Sequence, residues 1–344
     1  MNFLKPSIVT RNNFFIRVCF SAIYALLVCH LALAQPVGNT ASVKTASKFP
    51  NKTVKIIVSY PPGGSTDIVA RILFQQISES TGQQFIIENR AGAGGNIGAE
   101  LVAHSPPDGY TLLIATTAHA INMSLFKQLG YDIQRDFVPV SLLTQGPLVL
   151  VANPKFAASS VHELIALAKG GTPISFASSG NGQSTHLSAE LFNSMAGIKM
   201  QHIPYKGSAP ALSDVMAGQV EVMFDTTLSA MPFIKAGKLK ALGVTGSQRS
   251  QAAPEIPTIA ESGLSGYEVF AWNGVLAPAG TPKAVIAQLN EEIKKAMLNP
   301  SLREKFSAQG FAGIGNSPEQ FSSFLKDEVE KWSKTVKASG ATVD

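Results

Sequence analysis

The chain has 344 residues, 45% of them hydrophobic, and a formal net charge of +5. That length suits roughly two domains of about 150 residues, each large enough for its own core. No run of lysine and arginine is present, which argues against a nucleic-acid partner. The two cysteines, Cys19 and Cys29, both lie near the N-terminus, so the remainder has no disulfide framework, thiolate nucleophile or cysteine metal site.

The first residues read as an export leader. Lys5, Arg11 and Arg17 precede an apolar stretch, residues 18–33, interrupted only by Ser21 and His30. Ala32-Leu33-Ala34 then offers the small-x-small pattern of a cleavage site. An uncleaved anchor would need about 20 apolar residues, more than are here. A lipidated Cys29 would follow Val28, a poor neighbour for that chemistry. Cleavage near Ala34 removes three basic and no acidic residues and leaves a net charge of +2. Residues 35–48 are polar and unpatterned, a flexible lead-in.

Order is expected from Phe49. Residues 54–59 form a β-branched strand, followed by Pro61-Pro62-Gly63-Gly64 and by Ile68, Ile72, Leu73 and Ile77 at helical spacing. Further strands are predicted at 85–87, 110–115, 148–151, 174–177, 220–224, 241–244 and 274–276. Helices are predicted at 161–168, 184–196 and 210–217. Thr281-Pro282 should cap and open a helix over 284–297, and Ser317 with Gln320 has capping-box spacing ahead of 321–336. Alternating strands and helices imply an α/β fold with mainly parallel sheets covered on both faces. No 20–50-residue repeat occurs, which excludes solenoids.

Three glycine loops carry the chemistry. In the first, residues 60–67, two glycines free the backbone between a strand and a helix, and Ser65 or Thr66 is placed to cap that helix. The first N–H groups of a helix lack internal partners and attract anions; an ordinary strand–helix turn is the equal alternative. The second loop, residues 88–98, has Gly92, Gly94 and Gly98 in GxGxxxG spacing, which suggests a dinucleotide site. The following strand ends in Thr116-Thr117-Ala118, without the acid that would hold a ribose. The third loop, residues 178–186, sets hydroxyls, amides and glycines before a helix, as the first does. One helix N-terminus contributes only about 0.3–1 kcal/mol to an exposed anion, whereas micromolar affinity needs about 8 kcal/mol. Two such loops facing one cleft would grip both ends of a short carboxylate.

From about residue 49 onward the chain resembles the substrate-binding receptors of tripartite tricarboxylate transporters, the Bug/TctC family. The resemblance rests on residues 60–67, on Glu88-Asn89-Arg90 with Gly92 to Gly98, on residues 107–112, on Ser179-Gly180 through His186, on Pro204-Tyr205-Lys206-Gly207 and on Val222-Met223-Phe224-Asp225. It implies a two-lobed periplasmic binding protein, a Venus flytrap. Its domains would be residues 49–148 with 274–344, and residues 149–273. It implies a periplasmic monomer that binds a dicarboxylate, an acidic amino acid or an aromatic acid, largely through backbone N–H groups and water. The expected contacts are Tyr60, Pro62, Gly63, Gly64, Ser65, Thr66, Thr116, Thr117, Ser179, Gly180, Gly182, Ser184, Thr185, His186, Tyr205 and Asp225. Partners would be integral-membrane transporter subunits or a sensor kinase; no cofactor or metal is expected.

Single residues leave alternatives. Asp67 and Arg71, four apart on a helix, suit a surface ion pair. Asp225 could meet a ligand amino or hydroxyl group or cap a helix. His186 reads as an early-helix structural residue, Lys206 as an anion contact or a solvated side chain, and Trp272 as core. No GxSxG elbow, HExxH motif or nucleophile–base pair supports an enzyme; an NAD-linked enzyme stays as the rival from the second loop.

Overall fold

The computed structural model describes residues 49–250, 253–308 and 310–343; the leader, the expected cleavage point at Ala34, both cysteines and the 35–48 lead-in lie outside them. The chain opens with β1 (Val54–Val58), α1 (Ser65–Thr81), β2 (Phe85–Asn89), α2 (Asn96–Ala103), β3 (Thr111–Thr116), α3 (Thr117–Leu125) and β4 (Phe137–Ala152). Next come α4 (Val161–Lys169), β5 (Ser175–Ser178), α5 (Ser184–Ala196), β6 (Gln201–Pro204), α6 (Ser208–Ala217), β7 (Val222–Thr226), α7 (Thr227–Lys235) and β8 (Lys240–Val244). It closes with β9 (Phe270–Pro278), α8 (Lys283–Met297), α9 (Pro300–Ala308), β10 (Ala312–Gly313) and α10 (Pro318–Ser339).

The strands run in the order β2-β1-β3-β9-β4-β7-β5-β6, with β8 and β10 also on β4. One lobe has a parallel β2-β1-β3 core and the other a parallel β6-β5-β7 core. The α/β expectation holds, but the sheets are mixed rather than mainly parallel. β9 is antiparallel to β3 and β4, and β4 is antiparallel to β7 and β8. The cause is topological: β4 carries the chain out of the first lobe and β9 brings it back alongside, so the two must run in opposite directions.

Side chains alternate between faces, as a pleated strand requires. On β1, Ile56 and Val58 join a core with α1 and α8, while Ile57 faces a different core. On β7, Val222 and Phe224 face one core and Met223 the other. Strands buried on both faces explain why the sequence shows near-continuous apolar runs. One of the three cores is shared by both lobes: Ile57, Leu113 and Ala115 of the first lobe lie in the same cluster as Leu150, Phe176 and Phe224 of the second.

The crossing is specific. Along β4, residues Phe137–Pro147 pair with β9, and Leu148–Ala152 pair with β7 and β8. Pro147, which has no N–H to donate, stands at the changeover. A Cβ on neighbouring Gly146 would lie 2.5 Å from the Gly310 carbonyl oxygen, so only glycine fits there. The buried Thr245 hydroxyl accepts from the Leu148 amide at 2.7 Å and donates to the Val269 carbonyl at 2.7 Å, tying both crossing strands to the end of β8.

The last helix buttresses this joint. α10 starts with the expected capping box: Ser317 Oγ accepts from the Gln320 amide and Gln320 Oε1 from the Ser317 amide. Its apolar stripe, Phe321, Leu325, Trp332 and Val336, is buried against α3 of the first lobe and α5 of the second. Burial of each such side chain is worth about 1.5–3 kcal/mol. Glu328 on the same face accepts from the indole N–H groups of Trp272 (2.8 Å) and Trp332 (2.9 Å) and pairs with Lys331. Trp272 is core, as expected. The proline expectation at α8 shifts by one position: Pro282 is itself the cap residue, and the Thr281 hydroxyl bonds the Pro278 carbonyl.

Candidate ligand-binding site

The first glycine loop leaves the C-terminal end of β1. Gly63 has φ +83° and Gly64 φ −74°, and Gly64 is the cap residue of α1. Ser65 and Thr66 occupy the first helical turn and make no capping bond, contrary to the expectation. Asp67 organises the loop instead. Its carboxylate accepts from the Gly63 amide, from Arg71 through two nitrogens and from Asn89 Nδ2, each at 2.9 Å. Asn89 Nδ2 also reaches the Tyr60 carbonyl at 3.0 Å. The Asp67–Arg71 pair is therefore not a plain surface pair: Arg71 is half-exposed, but the Asp67 side chain is only 3% exposed. Burial pulls the Asp67 carboxyl up; the bonds from Arg71, Gly63 and Asn89 outweigh it and hold it below the usual carboxylate range.

A second helix start lies beside this loop. β3 runs directly into α3, with Thr116 as cap residue. Tyr60 Oη lies 2.7 Å from Thr116 Oγ1, and the Thr116 amide donates to His119 Nδ1 at 3.0 Å. That bond fixes the tautomer: the ring proton of neutral His119 sits on Nε2. Burial lowers His119 to about 4, so the ring is neutral at physiological pH, and burial raises Tyr60 to about 12. Nε2 is buried, with only the Gly95 backbone beside it. It lies 3.1 Å from where a Cβ on Gly95 would be, as does Tyr60 Oη. Thr117 faces the crossing instead: its hydroxyl accepts from the Trp272 amide at 3.1 Å.

The third glycine loop leaves β5 in the other lobe. Gly180 and Gly182 have φ +140° and +76°, conformations that favour glycine. The Ser179 amide donates to Thr185 Oγ1 at 2.9 Å, and the Gly182 amide to His186 Nδ1 at 3.2 Å. His186 is buried and stacks on His202, with ring centroids 3.8 Å apart. Burial, and then the neighbouring His186 ring, lower His202 to about 3, and Ser178 Oγ holds His202 Nε2 at 2.6 Å. Thr185 and His186 thus brace the loop, while Ser184 starts α5 behind the cap residue Gln183. Tyr205 donates its amide to the Ser178 carbonyl and its hydroxyl to Asp214. Lys206 is exposed.

Asp225 ends the same edge. It is fully buried; Oδ1 accepts from Ser208 Oγ and the Thr226 amide, both at 2.8 Å, and Oδ2 has no partner. Burial raises its carboxyl to about 7 against those two bonds. It caps no helix, since Thr226 caps α7.

The expected residues thus fall into two groups, each at the C-terminal ends of parallel strands in its own lobe. The groups approach each other at Gly182, where a Cβ would lie 2.6 Å from Leu125 Cδ2 and 3.5 Å from Asn122 Oδ1 of α3. Asn122 Oδ1 is another buried atom without a partner. Asn122 and Ser208 escaped the sequence expectations; the only local signal for Ser208 was the glycine before it. Pro62 is exposed on the lip of the first loop. The second glycine loop serves packing: a Cβ on Gly98 would lie 2.4 Å from Ser59 Oγ and 3.1 Å from the Arg90 carbonyl. Among the described residues no group of histidine, cysteine, aspartate and glutamate is placed to hold a metal.

Residues 69–341 match the family described as tripartite tricarboxylate transporter family receptor. The chain belongs to this family. It is a solute-binding receptor with a periplasmic binding protein fold. Among curated relatives, a Pseudomonas protein encoded in the tcbD-tcbE intergenic region is 41% identical over 89% of this chain and 91% of its own length. BugT of Bordetella pertussis is 37% identical over 93% and 97%. Among solved structures, R. palustris Rpa4515 with adipate has a TM-score of 0.78 at 36% identity, covering 86% of this chain and 99% of that one. MatC of Rhodopseudomonas palustris with bound malate has a TM-score of 0.75 at 33% identity, covering 84% and 100%. No helix among the described residues is long and apolar enough to cross a membrane.

Proposed function

We propose that this receptor binds one small organic carboxylate between its lobes in the periplasm, after cleavage near Ala34, and presents it to integral-membrane transporter subunits. The observation that carries the reading is the pairing of two helix-start clusters, one per lobe, each with buried polar atoms that lack a partner. In the first lobe the amides around Gly64, Ser65 and Thr66 and the neutral His119 Nε2–H are donors for one end of the ligand. In the second lobe the amides of Asn181 and, in the first turn of α5, of Ser184 and Thr185 serve the other end. Tyr60, Thr116, Thr185 and His186 position those donors, Thr117 fixes α3 on the crossing strand, and Tyr205 supports the third loop. Several charge-assisted hydrogen bonds at about 1.5–3 kcal/mol each supply what one helix N-terminus cannot. The lobes divide at the crossing, with residues 49–148 and 274–344 on one side and 149–273 on the other. The adipate and malate bound by its structural relatives support a carboxylate ligand.

A thermal-shift screen of residues 35–344 against small carboxylates, and separately against NAD(H), tests this. Ligand at about 1,000 times its dissociation constant adds roughly 4 kcal/mol and raises the midpoint by several degrees. A shift with a nucleotide and none with any carboxylate defeats the receptor reading.

A further inference from the structure

Asp225 has one oxygen more than its surroundings can use. Its carboxyl stands where α6 and α7 begin: Ser208 is the first residue of α6, and Thr226 is the cap residue of α7. Both bonds go to Oδ1, and Oδ2 is buried and bare. Ala177 pairs with Met223 in parallel register, so Asp225 is level with Ser179 at the root of the third glycine loop. The position lies at the C-terminal ends of β5 and β7, the edge from which the third glycine loop leaves.

A bare buried carboxyl oxygen has two uses. Ionised, Oδ2 needs a donor such as an ammonium; protonated, Oδ2–H needs an acceptor such as a carboxylate. The elements packed around β7 carry His186 and Glu190 on α5, Asp214 on α6 and Lys235 on α7, while β4 and β5 carry no titratable group. His186 and Glu190 face each other, Asp214 holds the Tyr205 hydroxyl, and none of the four bonds Asp225. Among the described residues no cation pairs with Asp225, and burial raises its carboxyl to about 7. The amide ends of α6 and α7 add positive potential that suits an incoming anion.

We propose that Asp225 is a proton-carrying specificity residue, whose carboxylic acid donates through Oδ2 to one carboxylate of a dicarboxylate ligand. Ligand binding then takes up a proton from solvent wherever free Asp225 is ionised, and no covalent bond other than that O–H is formed. Oδ2 is buried in this arrangement, so a ligand reaches it only when the elements around it part. The inference rests on the receptor reading and narrows the ligand to dianions over amino acids, whose ammonium would favour the ionised form.

The test is titration calorimetry of the wild-type chain with malate and adipate from pH 6 to 9, in buffers of differing ionisation enthalpy. Above the Asp225 midpoint, affinity for a bound dicarboxylate falls about tenfold per pH unit, with uptake approaching one proton. In Asp225→Asn, which keeps a donor at that position, uptake disappears and the profile flattens. Wild-type affinity that is flat or rising with pH, or uptake unchanged in the variant, overturns the proposal alone. Absence of binding by malate and adipate at every pH overturns the proposal, and a thermal-shift screen in which no small carboxylate moves the midpoint overturns the receptor reading with it. The buffer dependence is read on the wild-type protein, so the outcome does not hang on the variant's folding.

Discussion

Replacing Asp67 with alanine isolates the organiser of the first loop. The substitution leaves the Gly63 amide and the Asn89 side chain without their shared acceptor, in a place where the lost carboxylate was 3% exposed. Hydrogen bonds to a charged group contribute about 1.5–3 kcal/mol each. The bonds from Arg71 count for less, because its half-exposed guanidinium is re-solvated and such pairs are worth under about 1 kcal/mol. The expected loss is about 3 kcal/mol, and at roughly 2–4 °C per kcal/mol the melting midpoint falls by roughly 6–12 °C. Affinity for carboxylates falls as well, since ligand must then order the loop. The pH dependence has a definite sign. The folded-state carboxyl lies below its unfolded value of about 3.9, so the stabilisation is present above that pH and fades as pH falls through the folded value. The difference between wild type and variant should close in acid. Scanning calorimetry at neutral and acid pH reads it; a variant that melts within about 2 °C of wild type and binds normally refutes the assignment of Asp67 as the loop's anchor.

The two neighbouring glycines should behave differently. At Gly64 the backbone suits any residue and an added Cβ meets nothing nearer than the Pro61 carbonyl at 3.7 Å, so Gly64→Val folds normally but loses carboxylate binding by at least about 100-fold, equivalent to roughly 3 kcal/mol. At Gly63, φ +83° makes Gly63→Ala cost about 1–2 kcal/mol of stability although nothing lies within 4 Å of its Cβ; equal melting of the two variants contradicts this. His119, held near 4 by burial, contributes stability present above its unfolded value of about 6.5 and lost as pH falls toward 4, roughly 3 kcal/mol in all. Urea midpoints between pH 7 and pH 4 should fall less steeply in His119→Gln than in wild type.

Elements with a clear period and punctuated ends were legible in the sequence. The 184–196 helix agrees end to end, because its apolar spacing runs into Gly197, a left-handed cap. α3 escaped notice for a physical reason: Thr117, Ala118, His119, Ala120, Ile121 and Asn122 are all buried, so no polar face marks the helix, and no loop separates it from β3. α7 was obscured by Pro232 inside it. Only the 148–151 end of β4 showed, since its first half contains Pro139, Thr144, Gln145 and Pro147, residues suited to a bulged crossing. The loops of the candidate site were visible as glycine patterns, but the bonds that brace them were not. Asp67 to Asn89 and Ser208 to Asp225 join residues 22 and 17 positions apart, and no local spacing encodes such partners.

The strand order has a consequence for how the chain is completed. β9 lies between β3 and β4, so the first lobe's sheet stays split until residues 270–278 are available, although β1, β2 and β3 precede them by more than 150 positions. The second lobe's sheet, from the end of β4 through β8, needs nothing that late. A chain delivered N-terminus first therefore has every strand of its second lobe's sheet before it has every strand of its first. The core shared by the lobes is sealed only when α10 arrives, which makes the final helix the step that turns two half-built bodies into a working joint.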